Sequence, residues 1–230
     1  MTAAAWLEIE SAAPSIILAG EKLLLDASGA LYWPAATTLA VADLHLEKGS
    51  SYGSRGITLP PYDTATTLAV LADVLERFRP ARVICLGDSF HDGRAAGRIN
   101  SLDRAALTEL IAAQCWFWVS GNHDPHPPAW SGRVVSELAI GPITFRHQAE
   151  PAAGKGEVSG HYHPKAGWQA RGRQICGRCF VGDESRLILP AFGAYAGGLD
   201  VGDPAIASLF PAGRDVHLIA RGRVTRLPRA

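Results

Sequence analysis

Hydrophobic positions in the first half of the chain alternate between short strand-like runs and helical stripes. Apolar runs over residues 15–26 and 29–33, separated by Ser28-Gly29, indicate an opening β-ribbon. Three further runs are typical of buried strands: 37–42, 82–86 and 115–119. Because two helical stripes lie between these runs, the pattern predicts the order strand–helix–strand–helix–strand.

The two helical stripes have sequence signals at their N-terminal ends. The first places an apolar face from Leu68 to Phe78, and Asp63 is its candidate N-cap. The second covers about 102–114, with Ser101 as its candidate N-cap. Polar residues end each of the intervening strands, and ligands bind at that edge in α/β sheets.

The second half of the chain has a different pattern, in which short β-like runs dominate. These runs cover 133–138, 142–146, 166–171, 178–181, 186–189 and 216–220. They predict a second sheet. Two sheets packed face to face with helices outside would unite both halves, so we expect residues 1–230 to form one domain.

Composition excludes several classes of protein. Of the 230 residues, 47% are hydrophobic and 19% are charged, which is enough apolar material for a core and excludes general disorder. The 22 basic and 22 acidic residues give a net charge of zero, which excludes a strongly basic coat protein of nucleic acid. An enzyme with a local basic patch stays open.

The termini and the cysteines indicate a cytoplasmic protein. The first ten residues lack the basic start of a secretory signal, and no run approaches the roughly 20 apolar residues of a membrane span. We expect Cys85 and Cys115 to be buried in strands. Cys176 and Cys179 form a single C-x-x-C without the second pair of a zinc ribbon, so a structural role is favoured over a redox role.

Five polar motifs follow strand-like runs, and they carry the chemistry of this sequence. In order they are Asp43-Leu44-His45, Gly87-Asp88-Ser89-Phe90-His91-Asp92, Gly121-Asn122-His123-Asp124, His147 and Gly160-His161-Tyr162-His163. On extended backbone, the i, i+2 spacing of D-x-H and H-x-H points both side chains to one side. Together the motifs offer two Asp, one Asn and four His, a mixed oxygen and imidazole set that suits Mn, Fe, Zn or Co better than Ca or Mg.

The series of motifs resembles the calcineurin-like metallophosphoesterase superfamily. The resemblance implies a four-layer αββα sandwich in which helices flank two packed mixed sheets, and it implies two metal ions. One metal would be bound by Asp43, His45 and His163 and the other by Asn122, His147 and His161, with Asp88 bridging both. His147 is a lone histidine after a strand-like run, so a merely hydrogen-bonded histidine is its alternative reading.

The resemblance also implies residues that act on the substrate. His123 would contact the scissile phosphate and Asp124 would orient it. The sequence departs from the general pattern at His91, which replaces an Asp and resembles the DNA-repair nuclease branch, where this histidine lies near the phosphate. Asp92 has no carried-over role, and we expect it to support the site from behind.

A narrower resemblance covers most of the chain. Residues 42–64, the G-D-S-F-H-D motif and the late stretch RLILPAFGAYAGGL are similar to the ligase-associated DNA damage response endonucleases. That family implies a manganese-dependent nuclease or phosphodiesterase of DNA, preferably single-stranded, that works alongside a DNA ligase and a helicase. Fe, Zn or Co are the alternative metals. The competing functions are a nucleotide phosphodiesterase or phosphatase and an inert scaffold.

Several residues beside the motifs are candidates for substrate binding. Lys48, Arg55 and Arg146 could meet phosphates, although a solvated charge is the alternative for each. Tyr162 could stack on a base. His217 alternates with apolar residues, which indicates a histidine on the surface of a strand.

Overall fold

A seven-stranded mixed sheet contains the first half of the chain in the computed structural model, which describes residues 14–128, 130, 132–151, 154–170 and 172–228. Its strands follow the chain: β1 (Ser15–Leu18), β2 (Glu21–Leu25), β3 (Leu31–Trp33), β4 (Thr38–Val41), β5 (Arg82–Leu86), β6 (Cys115–Val119) and β7 (Arg133–Val135). β1 to β4 pair antiparallel, which confirms the opening ribbon, and β4 to β7 pair parallel.

The second half forms the predicted second sheet, which is also mixed. Its order is β15-β14-β12-β13-β10-β9-β8, and β11 pairs with β12. The strands are β8 (Glu137–Ile140), β9 (Ile143–Arg146), β10 (Glu157–Ser159), β11 (Lys165–Ala170), β12 (Arg173–Gly182), β13 (Arg186–Ile188), β14 (Asp215–Ala220) and β15 (Arg223–Arg226). The apolar run 133–138 does not belong to one sheet, because the chain passes from β7 to β8 at Ser136.

Five helices complete the structure of the described residues, with a 3-10 turn at Pro34–Ala36. They are α1 (Lys48–Gly53), α2 (Asp63–Phe78), α3 (Ala95–Arg98), α4 (Ser101–Ala112) and α5 (Pro204–Ala207). Both predicted N-caps are displaced by one residue. Tyr62 precedes α2, and Asn100 caps α4 by accepting hydrogen bonds from two backbone N–H groups of the first turn.

Three apolar clusters hold the layers together and confirm the sandwich. The cluster between the sheets includes Leu86 and Phe145, and the cluster between the first sheet and its helices includes Leu71 and Leu107. The third cluster packs α5 on the second sheet through Ile206. The outer helical layer on that side is only one turn long, so the sandwich is asymmetric. None of the described helices combines the length and apolar character that a membrane crossing requires.

Two residues differ in burial from their predicted environment. Cys115 is exposed at the first position of β6, because the inward-facing residues of that strand begin with Trp116. His217 is buried in β14 with 5% of its surface exposed. The strand β14 is an inner strand of the second sheet, between β15 and β12. All four cysteines are free thiols.

Strand direction places the five motifs at one edge of the sandwich. Asp43, Asp88 and Asn122 follow the carboxyl ends of β4, β5 and β6, which run parallel. In the second sheet, His147 and His161 follow the parallel strands β9 and β10. The two sheets meet at this edge through a parallel bridge between Ala42 and Ala191.

Candidate metal centre

Two groups of metal-ligating side chains lie side by side at this edge. The first consists of Asp43, His45 and His163, and the second of Asp88, His147 and His161. Within each group the ligand atoms lie within 4.8 Å of one another. The division between the groups is the one that the resemblance implied, with Asp88 placed in the second group.

Asn122 completes the second group as an oxygen donor. Its Oδ1 atom lies 2.9 Å from Nε2 of His147 and 2.9 Å from Nδ1 of His161. The nitrogen Nε2 of His147 also lies 3.5 Å from Oδ2 of Asp88. All the ligands predicted for the second metal therefore converge on one point.

Each aspartate uses one carboxylate oxygen to hold a neighbouring motif. Oδ2 of Asp43 accepts a hydrogen bond from the backbone N–H of His161, and Oδ1 of Asp88 accepts one from the backbone N–H of His123. The other oxygen of each carboxylate faces histidine nitrogens, for Asp43 at 3.5 Å from Nε2 of His163. The two aspartates thereby tie the motif loops together and still present an oxygen to an ion.

His147 is oriented by a contact that joins the two sheets. Its Nδ1 atom lies 3.0 Å from the carbonyl oxygen of Leu86 at the end of β5. A carbonyl oxygen only accepts, so Nδ1 carries the proton and the lone pair lies on Nε2, which faces Asn122 and Asp88. This arrangement favours the ligand reading of His147 over a merely hydrogen-bonded histidine.

The backbone of the motifs is not extended, contrary to our reasoning from the i, i+2 spacing. Asp43, His45, His161 and His163 all have positive φ angles, at 54°, 44°, 72° and 47°. Asp88 has a φ of 44° as well. Non-glycine residues rarely adopt this left-handed region, and such strain concentrates at functional sites. The paired side chains still converge, but by sharp turns after each strand.

Close packing accounts for two of the motif glycines. A Cβ atom on Gly121 would lie 2.2 Å from the backbone nitrogen and from Oδ1 of Asp88. On Gly87 it would lie 2.3 Å from Nδ1 of His147, and this residue also has a φ of 71°. Any larger side chain at these positions would displace residues of the second group.

Two histidines of the ligand groups, His45 and His161, have lowered pKa values. Burial, followed by the nearby charges of His163, His123, His91 and Lys48, lowers the pKa of His45 to about 2. Burial is also the main cause of the lowered pKa of His161. A neutral imidazole keeps the lone pair that a metal ligand needs.

The donor set fits divalent cations. Oδ1 of Asp43 is buried and has no hydrogen-bond partner among the described residues, although burying an unpaired carboxylate oxygen is costly. A bound cation would compensate for that charge. A ligand group that combines imidazole nitrogens with a carboxylate oxygen suits transition metals.

Two further histidines lie beside the first group without belonging to it. The ring of His91 is 5.5 Å from that of His45, and the ring of His123 is 5.2 Å from it. These two rings stack on each other with centroids 5.3 Å apart. His123 is exposed, whereas His91 is 9% exposed. Both histidines therefore line the approach to the site.

His123 is oriented by a different partner from the one expected. Its Nδ1 atom lies 3.1 Å from the backbone carbonyl oxygen of His91. The carboxylate of Asp124 instead accepts a hydrogen bond from the backbone N–H of Phe90, at 2.9 Å. Burial and the nearby charge of Asp88 raise the pKa of Asp124 to about 7. Asp124 thus supports the loop that carries His91, not the imidazole of His123.

Asp92 links the loop of His91 to two helices. Its Oδ2 atom accepts hydrogen bonds from Ser51 at 2.7 Å and from Arg98 at 2.9 Å. Burial alone would raise the pKa of Asp92, but these hydrogen bonds and that of the Arg94 backbone hold it below its usual value. The carboxylate joins α1 and α3 to the loop of His91.

Comparison with known proteins identifies the family. The model of the calcineurin-like phosphoesterases matches residues 36–176, which is more than half of the chain and includes all the ligand positions described above. The chain belongs to the calcineurin-like phosphoesterase family. Among curated proteins, no sequence matches this phosphoesterase.

One solved structure similar to this phosphoesterase is the nuclease MPE of Pseudomonas putida. The two chains are 32% identical, and the match covers 94% of this chain and 100% of the other with a TM-score of 0.74. The match agrees with the narrower resemblance to the ligase-associated endonucleases. With the two ligand groups, it shows that this phosphoesterase is a metal-dependent hydrolase, and the fold implies two divalent metal ions.

Two of the predicted substrate-binding residues of the phosphoesterase lie at the entrance of the site. Lys48, the first residue of α1, is partly buried, and Arg55 is exposed. Burial is the largest cause that lowers the pKa of His91 to about 4, and the positive charges of Lys48 and Arg55 act in the same direction. Tyr52 is half-buried, with its ring 5.9 Å from that of His91.

The side chains of the other two candidates contact residues of the fold itself. Arg146 forms ion pairs with Glu137 at 3.0 Å, with Glu150 and with Glu157 at 3.7 Å, so its charge is already engaged. Tyr162 is 8% exposed and packs in the third apolar cluster, and burial raises its pKa. Both side chains are therefore engaged within the fold, and their assignment to substrate binding stays a prediction.

Sequence reasoning missed Lys165, the first residue of β11. It is exposed, and it follows His163 by two residues. Burial and the charge of Lys165 lower the pKa of Lys48, and the carboxylate of Asp63 opposes them. The available signal was its position just after the H-x-H motif.

Proposed function

We propose that this phosphoesterase hydrolyses phosphodiester bonds of DNA, with a preference for single strands, and that it uses two manganese ions. The observation that carries the proposal is the pair of adjacent ligand groups with two non-ligating histidines, His91 and His123, beside them. The similarity to a nuclease over almost the entire chain supports the choice of a nucleic acid as substrate.

We assign seven ligands to the two ions. Asp43, His45 and His163 would hold the first ion, Asn122, His147 and His161 would hold the second, and Asp88 would be a ligand shared by both. We choose manganese because the resemblance to the ligase-associated endonucleases implies it, and the mixed carboxylate, amide and imidazole donors suit iron, zinc and cobalt as alternatives. When bound, such a pair of ions polarises the phosphoryl oxygens and activates a water molecule.

Two histidine side chains then act on the scissile phosphate and on its leaving oxygen. Because Nδ1 of His123 is engaged by the carbonyl oxygen of His91, its Nε2 atom is the one we assign to the scissile phosphate. When Nε2 of His123 carries a proton, it donates this proton to the leaving oxygen. His91 assists from the same side, since its ring stacks on His123. Asp124 holds the backbone of the intervening loop.

The cationic entrance favours a polyanionic substrate. Lys48 and Arg55 approach the site from α1 and the loop after it, and both would bind phosphates. The cellular setting follows only from the resemblance to the ligase-associated endonucleases. We propose on that ground that the enzyme acts in bacterial DNA repair, in the cytoplasm, alongside a DNA ligase and a helicase.

A cleavage assay over several substrates tests the proposal. Single-stranded, duplex and gapped DNA are compared with small nucleotides and a chromogenic phosphodiester, with and without manganese. We expect manganese-dependent cleavage with single-stranded DNA preferred. Hydrolysis of small nucleotides alone would favour the alternative of a nucleotide phosphodiesterase or phosphatase. A purified protein without bound metal and without activity on any substrate would favour an inert scaffold.

A further inference from the structure

A groove of about 500 Å³ opens directly beside the first ligand group. His163 forms one part of its wall, and α2 forms another through Thr66 and Val70. Its volume lies within the roughly 300–1,000 Å³ of pockets that hold small ligands. The groove is therefore large enough for a nucleoside, and it begins where the proposed reaction takes place.

The floor of the groove is formed by residues 191–198, which follow β13. This segment contacts both ligand motifs of the first group. The backbone N–H of Phe192 donates to the carbonyl oxygen of Ala42 at 2.8 Å, and that of Gly193 donates to Asp43 at 3.2 Å. At the other end, a Cβ on Gly198 would lie 2.2 Å from the carbonyl oxygen of His163. The segment is thus fixed in position relative to the metal ligands.

Small and apolar residues make this floor accessible. Ala194 is exposed and Ala196 is half-buried, and both line the groove between two glycines. The aromatic ring of Phe192 lies beneath them and is 3% exposed. An apolar surface of this kind can pack against the flat face of a nucleobase, and none of the described residues that line the groove is a carboxylate that would repel phosphate.

Lys165 provides a positive charge in the groove beside Arg178, whose guanidinium already donates hydrogen bonds to backbone carbonyl oxygens. The side-chain carbons of this lysine pass over Gly198, because a Cβ there would lie 2.9 Å from Cε of Lys165. The charge of Lys165 contributes to the lowered pKa of Lys48, after burial. Two of the four lysines in the sequence therefore converge on the first ligand group, although the net charge of the chain is zero.

From this arrangement we propose that the groove binds the nucleotide next to the scissile phosphate, and that Lys165 binds the phosphate of that neighbouring nucleotide. The base lies over Ala194 and Ala196, and Lys48 stays at the scissile phosphate. The inference rests on the proposed function, and it makes the enzyme selective for chains of more than one phosphate over a mononucleotide.

Binding and cleavage by Lys165→Ala and Ala194→Trp test the groove. Binding of a fluorescent single-stranded oligonucleotide is measured in EDTA at increasing salt, where no cleavage occurs. The logarithm of the binding constant falls linearly with the logarithm of the salt concentration. Loss of one phosphate contact with single-stranded DNA makes this slope less negative by about 0.7. We expect that change for Lys165→Ala. Ala194→Trp fills the groove, and we expect it to weaken binding.

Cleavage in manganese gives the second measurement, on DNA and on a chromogenic phosphodiester that has no neighbouring nucleotide. We expect Lys165→Ala to reduce kcat/KM for DNA at least fivefold more than for the chromogenic substrate. Lys155→Ala is the matched control, since Lys155 precedes the amino end of β10 at the opposite edge of the sheet, and it should leave both values unchanged.

The outcomes separate the groove from the proposed function. Equal losses on both substrates, or an unchanged salt slope, overturn the role of Lys165 while the nuclease proposal stands. A wild-type enzyme that hydrolyses the chromogenic diester but never DNA contradicts the proposed function itself. Normal DNA binding by a correctly folded Ala194→Trp, checked by circular dichroism, would show that the base lies elsewhere.

Discussion

The Nε2 atoms of His45 and His163 lie 3.2 Å apart, although 118 residues separate them in the sequence. Two nitrogen atoms that share one ion at about 2.1 Å each can be no more than ~4.2 Å apart, so this pair satisfies the condition for a common metal. Burial and the charges of neighbouring residues together lower the pKa of His45 to about 2, so its ring stays neutral and keeps the lone pair that a metal ligand needs. The short distance between the two nitrogen atoms predicts that they bind one ion.

Substitution of Asp88 by Asn should reduce both metal content and turnover. The change removes one charge from a residue that is 2% exposed and that holds the backbone of His123. Loss of even an outer partner of a metal ligand costs roughly 10–100-fold in affinity or activity, and we expect at least that loss here. Metal analysis and phosphodiester hydrolysis measure the two effects. Asp73→Asn, on the exposed face of α2, is the control, and normal values for Asp88→Asn would reject its bridging role.

Substitution of His123 by Ala should separate chemistry from metal binding. We expect turnover to fall by about 10²–10⁴-fold, the usual contribution of a general acid, with metal content unchanged. His126 is also exposed and lies outside both ligand groups, so His126→Ala is the matched control. The role of His123 is contradicted if the variant with normal metal content retains full activity.

Substitution of Gly121 by Ala should damage the second ligand group through the backbone. The added Cβ would lie 2.2 Å from atoms of Asp88 and 2.8 Å from Oδ1 of Asp124, so one of these residues must move. We expect a loss of about 1–3 kcal/mol in the free energy of unfolding, together with weaker metal binding. Urea unfolding and metal titration measure the two. Gly97→Ala in α3 has open space and should cause neither effect.

Stability should fall on acidification because of His217. Burial lowers its pKa below the usual 6.5, Asp215 opposes the shift and Arg226 adds to it. Below about pH 6.5 the unfolded chain binds a proton at this residue while the folded chain does not, so the free energy of unfolding decreases as the pH falls. Urea unfolding of the metal-free protein at pH 7.5 and 5.5 measures the decrease.

His217→Gln identifies the residue responsible for that decrease. Glutamine does not titrate, so the drop between the two pH values should be smaller than in the wild type. His126→Gln removes an exposed histidine and should keep the wild-type drop. An equal drop in His217→Gln and in the wild type would assign the acid sensitivity to other groups.

Local patterns were sufficient for the fold class and for the order of the polar motifs. Strands β4, β5 and β6 were predicted within a few residues, because continuous apolar runs flanked by Gly and Pro have few alternatives. Two short strands, β10 and β15, were missed, since three or four residues carry too little periodicity. The burial of His217 was also missed, because burial depends on which strands become neighbours.

The sequence by itself determined which residue types stand after which strands, and that order was enough to recognise the family and to propose the metal ligands. Only the tertiary structure decided which of the polar residues meet. It placed Arg146 among carboxylates and Tyr162 in a core, and it brought Lys165 to the site edge beside a groove. The physical reason is that a local pattern depends on neighbours along the chain. A binding surface depends instead on distant segments, whose approach is set by the packing of the two sheets.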